Sequence, residues 1–201
     1  EKPGKPRIAP RTSSKPGFGQ IGGRRIRSSQ QRVGRSSKHG VVRAGGSPVH
    51  STTLFQAASI SKAVAAVAVL TLVEWGEVDL DEPVNDRLRS WRLPDSEHTA
   101  TPPITLRHLL SHTAGTTVPG FPGYPVGTAL PSAVAVISGT GGANTPAVES
   151  FIAPGTLTQY SGGGTTIVQV LLSDVTGRAF AELVADLVLR PFGMVDSAYD
   201  Q

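Results

Sequence analysis

Residues 54–76 read Leu54-Phe-Gln-Ala-Ala-Ser59-Ile-Ser-Lys62-Ala-Val-Ala-Ala-Val-Ala-Val-Leu70-Thr-Leu-Val-Glu-Trp-Gly76. From Ile60 to Trp75 the run is apolar on nearly every side, with Val64, Val67, Val69, Leu70, Leu72 and Val73 separated by alanines. That composition predicts a helix buried in a larger core. Gly76 stands where a C-terminal cap glycine would end it. Ser59 lies at the N-terminus of this helix, where free backbone N–H groups and the helix dipole favour developing negative charge. Lys62 follows three residues later on the same face. A lysine buried there would have its ammonium disfavoured by desolvation, and a neutral amine can take a serine proton.

A Ser-x-x-Lys spacing is weak evidence by itself, since Ser59 could be a helix cap and Lys62 a first-turn surface lysine. Two features favour chemistry. Lys62 is the only lysine after residue 38, and the helix has no other charge before Glu74. A lone charge on an apolar helix is costly unless it is used.

The 201 residues contain no cysteine, so disulfides and thiolate metal sites are excluded. No apolar run is long enough to span a bilayer, and the first residues, Glu-Lys-Pro-Gly-Lys-Pro, are not those of a secretory signal. Compartment and oligomeric state are left open by the sequence.

Charge divides the chain. Residues 1–43 carry twelve Lys/Arg and one acid, for +11, whereas residues 44–201 carry seven and fourteen, for −7. Residues 1–39 read as a disordered basic tail or a foreign segment, because their few apolar residues have no period and cannot offset the entropy of ordering. Arg24-Arg25-Ile26-Arg27 could serve as a nucleic-acid arm, but no aromatic residues interleave with it to stack on bases, and no nucleic-acid partner is expected. The folded part is expected over residues 40–201, opening with a short strand at Val41-Val42-Arg43.

Further along, an acidic linker covers residues 77–84 and a short helix or turn is expected over 88–93. Thr105 predicts a capped short helix with Leu106, Leu109 and Leu110 inward, stopped by Gly115. His108 and His112 have the i, i+4 spacing of zinc ligands, but no acid or third ligand accompanies them, which favours structural hydrogen-bonding histidines over a metal site. A helix over Ser132–Ser138 interrupts a loop-rich stretch. Gly162-Gly163-Gly164 lacks the lysine of a phosphate loop and reads as a tight turn opening a helix at Thr165–Val175, ended by Gly177. Tyr160 precedes that turn and could aim its hydroxyl at the Ser59–Lys62 pair, where a neighbouring ammonium would make the phenol easier to deprotonate. A tyrosine that merely packs the loop is the alternative. A last helix is expected over Arg178–Arg190, stopped by Pro191.

Four blocks now stand together: Ser59-Ile-Ser-Lys62, Leu106-Arg-His-Leu-Leu-Ser-His-Thr-Ala-Gly115, Pro154-Gly155 with Tyr160-Ser-Gly-Gly-Gly164, and Leu189-Arg-Pro-Phe-Gly-Met194. In this order and separation they resemble the serine β-lactamase/penicillin-binding-protein-like hydrolases, and look closest to the class C β-lactamase-related branch with its esterases and D-peptidases. The resemblance implies an α/β (α+β) fold, a Ser59 acyl-enzyme assisted by Lys62, and Tyr160 in the place of the family's second-motif tyrosine. It implies hydrolysis of an ester, β-lactam or D-amino-acid peptide bond in a small-molecule or peptide-like substrate, with no metal or organic cofactor. The family's tyrosine motif is often Tyr-x-Asn. Here the substrate-binding position is Gly162, which favours esterase or peptidase over β-lactamase. The family's Lys-Thr-Gly or His-x-Gly strand motif is missing. It supplies half of the oxyanion hole, a donor typically worth about 10²–10³ in rate. The expectation is therefore the helical part of the fold with its antiparallel sheet incomplete at both ends. A catalytically inactive domain with a binding or structural role is the alternative reading.

Overall fold

The computed structural model describes residues 45–50, 52–99, 102–125 and 127–199. The chain divides into two compact units, Glu1–Thr53 and Leu54–Gln201. Of the first, the described residues include a turn in which the Thr53 N–H donates to His50 O at 3.2 Å and the His50 N–H to Thr53 Oγ1 at 2.9 Å. The basic tail and the strand expected at residues 41–43 lie outside the described residues.

The second unit is helical. A 3₁₀ turn, Ala58–Ile60, leads into α1, Ser61–Glu74. Gly76 takes a positive φ of 74°. Its N–H reaches Val73 O at 2.9 Å, and the Glu77 N–H reaches Leu72 O at 2.9 Å. This is the double bond pattern that closes a helix on a left-handed glycine. Burial all round is not what the helix has. Ala65, Ala68, Val69 and Leu72 face the core, whereas Val67 is 39% and Leu70 50% exposed. Nor is Lys62 buried as expected: it is half-buried, the second residue of α1 just after the exposed 3₁₀ turn. The alanines on the inner face carry little bulk, which allows close approach of the neighbouring helices.

The buried helix is α5, Gly162–Thr176, which packs against α1, α2, α3, α4 and α6. Ile167, Val168, Val170, Leu171 and Leu172 are all buried. This helix starts three residues before the expected Thr165, because the three glycines form its first turn instead of a tight turn ahead of it. Glycine is a poor helix former, but here the first-turn donors are all taken up. The Gly162 and Gly163 N–H groups donate to Pro119 O and Val118 O at 3.0 and 2.9 Å, and the Gly164 N–H donates to the N-cap Ser161 Oγ at 2.9 Å. The glycines also let the 116–119 backbone lie against the helix: a Cβ on Gly163 would stand 2.6 Å from Val148 Cγ2. Gly177 ends α5 in the left-handed region, as expected.

The shorter helices surround α5. Val84–Arg87 forms α2, so the expected turn or helix at 88–93 falls earlier in the chain. Leu106–Leu110 forms α3 with a reciprocal cap between Thr105 and His108, and Leu106 and Leu109 are buried as expected. Ala133–Ser138 forms α4, capped by Ser132. Phe180–Val184 forms α6 and continues as a π-helical turn, Ala185–Leu189. Among the described residues the only β pairing of the second unit is two isolated bridges, Pro83 with Thr105 and Thr116 with Ser150. No helix is long and apolar enough to cross a membrane among the described residues.

Candidate active site

Two segments distant in sequence meet at Ser59, and a third, through His112, holds one of them. Ser59 occupies the 3₁₀ turn before α1, following Ala58, whose φ is +46°. A left-handed alanine is a strained residue held by its surroundings, and it sets how Ser59 is presented. From the second residue of α1, Lys62 Nζ donates to Ser59 Oγ at 3.3 Å. The Tyr160 hydroxyl donates to the same Ser59 Oγ at 2.6 Å, and Lys62 Nζ lies 4.9 Å from the centre of the Tyr160 ring. Hydrogen bonding from Lys62, and then from Ser59, holds the Tyr160 phenol below its ordinary value.

Tyr160 is itself held by a neighbour. Past α3 the chain turns back at His112, whose φ is +58°, and residues 113–118 run beside residues 149–155. The Thr117 N–H donates to Glu149 O at 2.9 Å, the Phe151 N–H to Gly115 O at 3.0 Å, and the Gly155 N–H to Thr113 O at 2.8 Å. At the end of this run the Gln159 N–H donates to His112 O at 2.7 Å, and the Ser161 N–H donates to His112 Nδ1 at 3.3 Å. The His112 ring lies against the Tyr160 ring at 4.6 Å and 40°. Desolvation first, and the Lys62 charge second, push the imidazole of His112 down. The neutral ring is the form whose Nδ1 can accept.

Gly162 lies at the base of Tyr160, buried in the first turn of α5; a Cβ there would stand 3.1 Å from Pro119 O and 3.3 Å from a ring carbon of Phe121. His108 faces elsewhere. Its Nδ1 accepts from the Thr105 N–H at 3.2 Å as part of the α3 cap. The two histidines therefore do not converge, and among the described residues no group of three His, Asp or Glu could hold a metal ion.

Two contributors had no clear sequence signal. Tyr199, far along the chain, donates its hydroxyl to Ser61 O at 2.5 Å and packs edge-on against Phe180 at 5.4 Å, so it ties the start of α1 to α6. The strained Ala58 is equally silent, because alanine is not a residue that announces a positive φ.

The chain matches known proteins over most of its length. The family model described as Beta-lactamase matches residues 31–201. Over 172 residues the chain is 32% identical to Esterase EstB of Burkholderia gladioli, covering 78% of this chain and 41% of that protein. Over 159 residues it is 28% identical to Penicillin-binding protein 4 of Amycolatopsis lactamdurans, covering 79% of this chain and 39% of that one. The chain thus spans about two fifths of the length of these curated relatives. Among solved structures, a penicillin-binding protein from Bacillus halodurans shares the fold with a TM-score of 0.59 at 24% identity, covering 80% of this chain and 47% of that one. The chain belongs to the beta-lactamase family and has a β-lactamase-like fold.

Proposed function

We propose that this chain carries the nucleophile and proton-transfer groups of a serine hydrolase that works through an acyl-enzyme. The observation that carries the reading is the 2.6 Å contact between Tyr160 Oη and Ser59 Oγ, with Lys62 Nζ 3.3 Å from the same serine oxygen. With the phenol neutral, its O–H donates to Ser59. Once the phenol has lost its proton, the bond reverses, and Ser59 O–H donates to the phenolate. Ser59 Oγ then attacks the acyl carbon while its proton passes to Tyr160. The leaving alkoxide or amine takes that proton from Tyr160 as its bond to the acyl carbon breaks. Water, deprotonated by the same phenolate, attacks the acyl carbon, and Ser59 Oγ takes that proton back from Tyr160 as its bond to the acyl carbon breaks. Lys62 keeps the phenolate accessible by its charge and hydrogen bonding.

The substrate class is a carboxylic ester, a β-lactam or a D-amino-acid peptide bond, with an ester favoured. A relative named an esterase shares 32% identity. Gly162 stands where the family resemblance places a side-chain amide against substrate and lysine, so no amide is present there; a Cβ at this position would stand 3.1 Å from Pro119 O and 3.3 Å from Phe121. The test is labelling of the full-length protein with a fluorophosphonate, together with turnover of p-nitrophenyl esters. Labelling at Ser59 that disappears in Ser59→Ala is expected. A folded protein that neither labels at Ser59 nor turns over esters would sink the reading and leave the inactive binding-domain alternative.

The same reading assigns the described helices to the helical part of an α/β fold completed by an antiparallel sheet. Support comes from Val67 and Leu70, apolar residues left exposed on α1. Absence of strand ladders from the backbone resonances of the full-length protein would overturn it.

A further inference from the structure

We infer that His112 is a positioning residue for Tyr160, acting through its Nδ1 as the acceptor for the Ser161 N–H; this rests on the function proposed above for Ser59 and Tyr160. The residues on both sides of Tyr160 are bonded to this one histidine. The Gln159 N–H is bound by the His112 carbonyl at 2.7 Å, and the Ser161 N–H by the His112 ring at 3.3 Å. Tyr160 sits between these two anchors and is 44% exposed. Its ring has His112 on one side at 4.6 Å and Lys62 Nζ 4.9 Å from its centre. A half-exposed loop tyrosine would ordinarily sample several rotamers. Two backbone anchors and a ring face reduce that freedom and keep its hydroxyl on Ser59.

Ser161 makes the side-chain anchor consequential. It is the N-cap of α5 and is 2% exposed. Its hydroxyl is already committed, donating to Thr117 O at 2.7 Å and accepting from the Gly164 N–H at 2.9 Å. Its N–H therefore depends on His112. Removing that acceptor leaves a donor without a partner at a buried helix start, and the relaxation that repairs it moves the residue next door, which is Tyr160. His112 also holds a backbone conformation, φ +58°, that few side chains tolerate. The charged and titratable groups facing His112 are Lys62 and Tyr160. A second cation at position 112 would oppose Lys62, whereas the neutral imidazole, favoured by its desolvation, keeps Nδ1 free to accept.

The test uses two substitutions that both accept a positive φ. His112→Gly removes the acceptor and the ring. His112→Asn removes the ring but places Oδ1 where Nδ1 stood, restoring the acceptor. Two readouts are taken on the full-length protein: the titration of the Tyr160 phenol by NMR of ring-labelled tyrosine, assigned with Tyr160→Phe, and kcat and KM for an ester. In His112→Gly the Tyr160 titration should rise toward the ordinary phenol value of 10.0, because the phenol drifts from Lys62 and Ser59. Its kcat should fall by about 10²-fold with KM little changed, as misplacement of a catalytic group predicts. His112→Asn should return both readouts close to those of the unaltered protein. Unchanged Tyr160 titration in His112→Gly, or His112→Asn as impaired as His112→Gly, overturns the inference. If the unaltered protein neither labels at Ser59 nor turns over esters, the proposed function fails. The phenol titrations alone then decide whether His112 positions Tyr160.

Discussion

Tyr160 and Ser59, separated by 101 positions in the chain, share a 2.6 Å hydrogen bond between their side-chain oxygens. Tyr160 reaches Ser59 from the segment just before α5, and Ser59 is presented from the turn just before α1. The contact therefore depends on how the two helices pack, and its chemical content is separable from that packing. Tyr160→Phe keeps the ring against His112 and removes only the hydroxyl. Because Tyr160 is 44% exposed, its melting temperature should stay close to that of the unaltered protein, a change within about 0.5 kcal/mol. Ester turnover should fall by about 10²–10⁴, the range for loss of a positioned acid–base group. Thermal melts and steady-state kinetics on the same sample check both halves; a phenylalanine variant with full turnover would remove Tyr160 from the chemistry.

In the proposed mechanism, Lys62 sets the pH at which Tyr160 works. Hydrogen bonding from Lys62 is the first cause of the lowered phenol value, and the lysine charge adds to it. If the phenolate is the form that accepts the Ser59 proton, as proposed, kcat/KM should rise with pH through the Tyr160 titration, below the ordinary 10.0. Lys62→Met removes that cause, and the phenol value must then move up. The rising limb should shift to higher pH, with the loss in rate greatest on the acid side of the profile and smaller at high pH. A profile displaced downward by the same factor at every pH would show that Lys62 acts on Ser59 without passing through Tyr160.

These side chains and much of the helical framework were legible because each rests on a local rule. Thr105 and Ser132 cap α3 and α4, and Gly76 and Gly177 end α1 and α5, all through hydrogen bonds that a short peptide can specify. Ser59, Lys62 and Tyr160 could be singled out because a lone lysine on an apolar helix and a tyrosine before a glycine run are visible as residue types. What failed was non-local. The glycine triplet reads as a turn; beside the local Ser161 cap, it takes the carbonyls of residues 118 and 119, more than forty positions earlier, to make it the start of α5. The all-apolar α1 reads as the buried centre, yet which helix is central depends on what surrounds it, and α5 takes that place. His112 was visible only as a hydrogen-bonding histidine, since nothing local pairs it with residues 159 and 161. The ordering of Leu70 toward solvent has no counterpart in its own segment.

Ala58 stores backbone strain directly before Ser59. Its φ of +46° costs an alanine roughly 1–2 kcal/mol, and a glycine much less. Ala58→Gly should relieve that strain, while the greater freedom of glycine in the unfolded chain gives part of it back. The expected net effect is a gain of up to about 1 kcal/mol, visible as a rise of roughly 2–4 °C in Tm. Activity should move the other way, because Ser59 is then held less tightly in the 3₁₀ turn; a fall of about tenfold in kcat follows from a small loss of alignment. Differential scanning calorimetry and ester kinetics together decide it. A glycine variant that is less stable than the unaltered protein would show that the turn does not carry the strain its φ implies.

Gly163 tests the packing that brings Tyr160 to the site. It is buried in the first turn of α5, and a Cβ there would stand 2.6 Å from Val148 Cγ2 and 3.1 Å from Thr117 O. Alanine is the better helix former by roughly 1 kcal/mol, so propensity alone predicts that Gly163→Ala stabilises. The contact distances argue the opposite. Val148 is fully buried and Thr117 O belongs to backbone bonded to Ser161, so neither can retreat cheaply. Overpacking of this kind costs about 1–3 kcal/mol, and it falls on the segment that holds Ser161 and hence Tyr160. Net of the helix-propensity gain, the variant should melt lower by up to roughly 8 °C, and its kcat should drop although none of Ser59, Lys62 and Tyr160 has changed. Chemical denaturation separates the two terms: a midpoint at or above that of the unaltered protein would mean that helix propensity outweighs the contact with Val148, and that residues 116–119 are free to move away from α5.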